Sequence, residues 1–440
     1  MRRAATPGRT ILVAFAVAIG IGTAVLMLPV MANEPTTVVQ ALFTATSTIC
    51  VTGLAVVDTA THWTFTGKVT MAVLTQLGGL GIMTMATLVA LLFGSRMGLG
   101  SLLALKTENN VLHVRDLRKV IGRIAAFSFG TEFVIGAIMA VRLILAHDYE
   151  PMKAVGHGAF HAVMAFNGAG FALHSDGLAG FAGDGWILGS VSIGVILGGL
   201  GFPVVFELVR KWRTPRDWSL LTRITLWVTI PLFIFPTLFF IIAESTNTDT
   251  MGAFKGGQLI MLGFFTAVMP RSGGFNAFDI ADMHPESLLL TDLLMFIGGG
   301  SASTAGGIRV TTFGVLFLMM WSEVRGKPDV ELGTRRIAAA NQRQAIAVTL
   351  LSAALIFVVT TLTLAFTQIH LEPVLFEVIS AFGTVGLSMG ITADLPPIVH
   401  VLLSFMMFVG RLGPLTLGTA VALRQHKPLR TLPEERITIG

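Results

Sequence analysis

Apolar positions along the chain come in two lengths. Long runs lie at about 11–32, 66–94, 120–146, 185–208, 223–243, 287–320, 345–367 and 397–423. Shorter, half-apolar stretches lie at about 37–49, 152–167, 253–269 and 372–384. A helix needs roughly 20 apolar residues to cross a bilayer, so the long runs predict spans. The short ones predict re-entrant half-helices, because irregular backbone at membrane depth must be buried in protein or line water. The order long, short, long occurs four times and predicts repeats at 1–100, 101–215, 216–335 and 336–440. The expected fold is therefore an all-α polytopic membrane protein. Four tandem helix–pore-loop–helix repeats surround a pseudo-fourfold central pore, giving eight spans and four re-entrant half-helices.

A glycine turn follows each half-helix. The turns contain Cys50-Val51-Thr52-Gly53, Asn167-Gly168-Ala169-Gly170, Ser272-Gly273-Gly274 and Gly383-Thr384-Val385-Gly386, each followed by a large apolar residue. Their last glycines lie 117, 104 and 112 residues apart. A second glycine mark, beginning Gly78, Gly198, Gly298 and Gly410, follows at offsets of 25, 28, 24 and 24. Two marks in one register, four times over, define one repeated unit.

Composition agrees with this class. Of 440 residues, 53% are apolar and 12% charged, with mean hydropathy +0.77. Cys50 is the single cysteine, which excludes an intrachain disulfide. The net charge of +5 could point to nucleic acid, but 23 of the 30 Lys and Arg fall in the arm before residue 10, in 95–123, 209–223 and 322–343, and after residue 423. Cytoplasmic loops collect such residues, which puts both termini inside and all four glycine turns outside, with no nucleic-acid partner. Asp58, Asp148, Asp176, Asp184, Asp249, Asp279, Asp282 and Asp394 fall on the outer side, where they would concentrate cations. Arg2, Arg3 and Arg9 before Ile11–Val30, with Val30-Met31-Ala32 after it, imitate a cleavable signal. The run is long for one, and the first repeat needs its helix, so it reads as a retained span.

The chemistry follows from the turns. Converging backbone carbonyls replace the hydration shell of a cation, and glycine permits the positive φ that turns successive carbonyls to one side. Half-helix C-termini aimed at the axis favour a cation there. The glycine clusters lack the strand and acidic residue of a dinucleotide fold. There is no Walker lysine, metal-ligand cluster or nucleophile–base set, so an enzyme is not expected. His157 and His161 read as packing polarity. A secondary transporter, sodium- or proton-coupled, is the alternative, but four same-direction repeats favour an axial pore.

These motifs, with Gln76-Leu77-Gly78-Gly79-Leu80-Gly81 and Gly410-Arg411-Leu412-Gly413-Pro414-Leu415, resemble the Trk, Ktr and HKT superfamily of potassium transporters. The short N-terminus is most similar to the membrane subunit of bacterial Ktr systems. The resemblance implies potassium, with sodium as a second ion, held at the filter carbonyls. Glycine at all four filter positions goes with potassium selectivity in that family, and serine at the first with sodium. It also implies a homodimer in the bacterial cytoplasmic (inner) membrane, with the C-terminal tail near the interface. A separate cytoplasmic KtrA-like regulatory ring would carry the nucleotide, ATP or ADP, since this chain carries no cofactor.

The third and fourth repeats break the symmetry. Gly298-Gly299-Gly300-Ser301-Ala302-Ser303-Thr304-Ala305-Gly306-Gly307 is too glycine-rich for a helix interior. It predicts an unwound loop, which the resemblance makes the gate beneath the filter. Arg411, costly within a span, is expected to face that loop and help keep it shut. Arg271 is expected to brace the filter backbone. Arg309, Glu132, Glu207 and Asp292 are expected to pair between helices or to snorkel.

Overall fold

A computed structural model describes residues 7–94, 114–327, 329–332 and 335–413. The first repeat gives α1 (Pro7–Leu26), α2 (Val38–Ile49) and α3 (Phe65–Gly94); the second gives α4 (Val114–His147), α5 (Pro151–Asn167), α6 (Gly185–Leu200) and α7 (Phe202–Lys211). The third gives α8 (Leu220–Thr229), α9 (Pro231–Glu244), α10 (Gly257–Val268), α11 (Pro285–Ile297) and α12 (Val310–Val324). A two-stranded ribbon, β1 (Glu331–Leu332) and β2 (Arg335–Arg336), leads to α13 (Ala339–Phe366), α14 (Leu371–Gly383) and α15 (Pro397–Leu412). Starts are chemically marked. Thr37 and Gln40 form a capping box at α2, Asp184 caps α6, and proline opens α5, α9, α11 and α15.

The repeats pack in a closed cycle. The helix after each glycine turn rests on the half-helix of the next repeat: α3 on α5, α6 on α10, α11 on α14, and α15 back on α2. One continuous apolar core, running from Phe15 and Leu26 to Leu403 and Met407, joins all four. Among the described residues, Ile121–His147, Leu220–Glu244 and Ala339–Phe366 are long and apolar enough to cross a membrane.

The second glycine mark has a steric cause. A Cβ on Gly78, Gly198 or Gly410 would overlap the carbonyl oxygen of Ile49, Phe166 or Phe382, at the ends of α2, α5 and α14. Only glycine lets the following helix lie against its own half-helix that closely.

Two expected helices differ from the reading above. The run 185–208 is not straight: the chain turns by 99° between α6 and α7. Gly201, at φ +90°, makes the corner, and Pro203 supplies no N–H to continue the ladder. The run 397–423 ends as a helix at Leu412, where Gly413 has φ +85°, and 414–423 lie outside the described residues. Arg2, Arg3, the segment 95–113 and the tail from Arg424 lie outside them too. The expected break in 287–320 is present as the segment between α11 and α12.

Gly198 and Gly199 make an internal control, since nothing lies within 4 Å of a Cβ on Gly199. Gly198→Ala should lower stability by about 1–3 kcal/mol through overpacking, while Gly199→Ala should be neutral or slightly stabilising. Thermal unfolding of the two variants in one detergent checks this.

Candidate functional site

The four glycine turns meet in one ring. A Cβ on Gly53 would overlap the Ala169 carbonyl oxygen; on Gly170 it would meet the Gly274 backbone. On Gly274 it would overlap the Val385 carbonyl oxygen, and on Gly386 that of Thr52. Turn one thus touches turn two, two touches three, three touches four, and four closes on one. Backbone meets backbone at each junction, with no room for a side chain.

Backbone conformation repeats as faithfully as contact. Each of these glycines has positive φ: 102°, 45°, 74° and 97° for Gly53, Gly170, Gly274 and Gly386. Two residues earlier, Val51, Gly168, Ser272 and Thr384 also have positive φ, at 55°, 79°, 66° and 46°. Three of these four are not glycine, and a β-branched residue there is strained by about 1–3 kcal/mol. The half-helix ends hold them in place. Thr52, Ala169 and Val385 donate backbone N–H to Ser47, Met164 and Ser380 carbonyls at 2.7, 2.9 and 2.9 Å. In turns one and four the serine six residues back also receives the glycine N–H, Gly53 to Ser47 Oγ at 3.0 Å and Gly386 to Ser380 Oγ at 3.2 Å. Ser272 Oγ ties turn three to turn four through the Thr384 carbonyl at 2.8 Å.

Above the ring opens a cavity of about 530 Å³. Its floor carries Gly53, Gly170, Gly274 and Gly386, and its walls carry Asp58, Asp176 and Asp279. Of the acids expected at the mouth, Asp148, Asp184, Asp249, Asp282 and Asp394 do not line it. Asp184 is structural: it caps α6 and binds Arg142 at 2.7 Å and His147 at 2.9 Å. Burial pushes the Asp58 carboxyl up, but hydrogen bonds from Ser175, Ala60 and Thr61 outweigh it and hold it below the usual range. Asp58 therefore stays charged while joining the loop after turn one to Ser175 in the loop after turn two. Burial holds His174 below its ordinary value, against the pull of Asp176.

Beneath the ring lies the segment Gly298–Gly307. It reaches across the repeats: Gly300 N–H donates to the Gly199 carbonyl at 2.7 Å, and Thr304 N–H to Gly198 at 3.2 Å. Gly306 is seated against the Gly383 carbonyl and the Thr384 hydroxyl of turn four. Internal bonds from Ser303 Oγ to the Gly300 carbonyl and between the Ser301 and Thr311 hydroxyls, both 2.6 Å, shape it. Three of its carbonyls accept from arginines. Arg411, 1% exposed, donates to the Thr304 carbonyl, as expected of it. Arg309 donates to Gly300 at 3.3 Å and Arg271 to Gly298 at 3.3 Å.

Sequence reasoning missed two of these three. Arg271 turns away from the backbone of turn three to the Gly298 carbonyl, to Thr229 and to the face of Phe233, 4.5 Å from the ring centre. Arg309 serves the loop rather than another helix. The legible signal was an arginine near a run of glycines whose carbonyls lack helical partners. Glu132 joins Ser128 and Asn167, and Glu207 caps α8 through Ser219 and Thr222. Asp292 Oδ1 has no partner. His157, His161 and His174 pack ring to ring, and among the described residues no group of three ligands is arranged to hold a metal ion.

Comparison with known proteins adds the following. The family description "TrkH: Cation transport protein" matches residues 1–429. The Ktr system potassium uptake protein B of Bacillus subtilis strain 168 is 35% identical over 436 residues, covering 99% of this chain and 97% of that one. The protein of the same name from Vibrio alginolyticus is 34% identical, covering 98% and 94%. The potassium/sodium uptake protein NtpJ of Enterococcus hirae is 32% identical, covering 100% and 98%. The crystal structure of the potassium transporter TrkH from Vibrio parahaemolyticus superposes with TM-score 0.75 at 16% identity, covering 96% of this chain and 86% of that one. At that identity the likeness is one of fold.

Ser47→Ala should leave the buried Gly53 N–H without its acceptor, at a cost of about 1–3 kcal/mol. Ser380→Ala should do the same to Gly386. A fall in thermal unfolding temperature for both, absent in the exposed-site control Thr248→Ala, is the expected outcome.

Proposed function

The chain belongs to the TrkH cation transport protein family, and from that premise we propose that it takes up potassium across the bacterial cytoplasmic membrane. The carrying observation is the closed ring of Gly53, Gly170, Gly274 and Gly386 under an outer cavity walled by Asp58, Asp176 and Asp279. Alternation of positive φ at the glycine and two residues before it turns successive carbonyls of 50–53, 167–170, 272–274 and 383–386 toward one axis. There they replace water around a dehydrated potassium ion, the transported substrate. The acids raise the local cation concentration before entry. Flux is channel-like, along the axis.

In this reading the chain crosses the membrane eight times, with α2, α5, α10 and α14 re-entrant, both termini inside and the ring outside. The Gly298–Gly307 loop is the gate. Arg411, Arg309 and Arg271 hold it closed by satisfying its carbonyls, and their fixed charge opposes cations below the filter. Opening is driven from the basic cytoplasmic face by a separate nucleotide-binding ring, acting on a homodimer of this chain. Membership of the Ktr-named relatives in a system supports such a partner. The potassium/sodium name of the Enterococcus hirae relative keeps sodium as a second ion, either carried or coupled.

Expression in a bacterium lacking potassium uptake, with a cognate regulatory ring supplied, tests this. Wild type should restore growth at low potassium. Gly53→Ser, whose Cβ would strike the Ala169 carbonyl, should weaken potassium uptake roughly tenfold or more and relax discrimination against sodium. Absence of rescue by wild type, or an unaltered ion preference in Gly53→Ser, would sink the proposal. Arg411→Ala, by freeing the Thr304 carbonyl, should raise flux without the ring by roughly tenfold; unchanged flux would remove the arginine from the gate.

A further inference from the structure

One half-helix is not covered by its own fold. Beyond their first turns, α2, α10 and α14 expose no residue, whereas α5 exposes Val155, Gly156 and Ala159. These lie on one face of α5 at helical spacing. With α3 and α4, Gly156 and Ala159 border an open cavity of about 750 Å³, walled mainly by apolar groups such as Val69, Val73, Phe129, Phe160 and Val163. From Lys153 to Val163 the helix rises about 15 Å, the depth of one leaflet of a hydrocarbon core roughly 30 Å thick.

The outer end of this groove is cationic. Lys68 and Lys153 both line it, with Glu150 beside them. Among the described residues neither lysine forms a direct ion pair: Lys68 donates to the Ala60 carbonyl at 2.6 Å and feels the Asp58 carboxylate only at longer range, and Lys153 lies over the Tyr149 ring, 5.4 Å from its centre. His157, on the same wall, keeps a buried Nδ1 with no hydrogen bond. An apolar slot one leaflet deep, ending at two ammonium groups, complements one ligand chemistry.

We infer that this groove binds one anionic glycerophospholipid of the outer leaflet, its phosphate between Lys68 and Lys153 and an acyl chain along α5. The chain's end reaches Gln76, another lining residue, whose carbonyl accepts from Asn167 Nδ2 at 2.6 Å immediately before turn two. The occupant thus stands against the support of the ring. The site depends on the chain lying in a membrane with the ring outward, and not on which ion it conducts.

Native mass spectrometry of the purified full chain tests it without any transport measurement, with phosphatidylglycerol and phosphatidylcholine as probes. One phosphatidylglycerol per chain should be retained in preference to phosphatidylcholine. Lys153→Gln, at an exposed side chain, should cut retention about fivefold. Gly156→Leu should abolish it by filling the slot, since nothing lies within 4 Å of a Cβ there. Equal retention of both lipids, or retention unchanged in both variants, overturns the site. So does a disulfide-linked dimer formed by Ala159→Cys in membranes, which would put a second copy of the chain in the groove.

Discussion

Backbone packed on backbone at four glycines is the constraint on which the rest of this molecule depends. Gly53, Gly170, Gly274 and Gly386 each face the main chain of the next turn, so the ring closes only without side chains there. That closeness fixes where the half-helices end. Their ends in turn require Gly78, Gly198 and Gly410 on the helices behind them, because each presses on a half-helix carbonyl. Along the chain's first, second and fourth units the two glycine marks are therefore one requirement met at two depths, whereas Gly298 packs on Gly306 of its own loop. The strain at Val51, Ser272 and Thr384 is tolerated because the surrounding hydrogen bonds leave these residues no alternative.

Below the ring the same economy is inverted. Symmetry is abandoned in Gly298–Gly307, a mostly buried loop whose backbone is not helical, so that its carbonyls need other donors. Three arginines from different parts of the chain meet that need at Gly298, Gly300 and Thr304. A buried guanidinium without a carboxylate is costly, and a loop carbonyl without a donor is costly too; each relieves the other.

Much of this was legible in the chain. The short helices between the long apolar runs, the four glycine turns and the break after Ile297 follow from apolar run length and glycine spacing, which are local properties. The contact of Arg411 with the loop followed from the cost of burying a charge. What was not legible is non-local. The corner at Gly201 depends on where α7 must go, and the apolar run 185–208 reads the same straight or bent. Arg271 and Arg309 find loop carbonyls that only tertiary packing places beside them. Asp184 looked like a mouth acid, but Arg142 and His147 from α4 claim it. Charge sign is written in the sequence; the partner is not.

The central claim is that the ring holds a dehydrated cation on its axis. Anomalous scattering from crystals grown with rubidium in place of potassium tests it most directly. The account predicts a peak equidistant from the Gly53, Gly170, Gly274 and Gly386 turns. A ring without anomalous density, with rubidium bound off the axis or only at the surface acids, would contradict it.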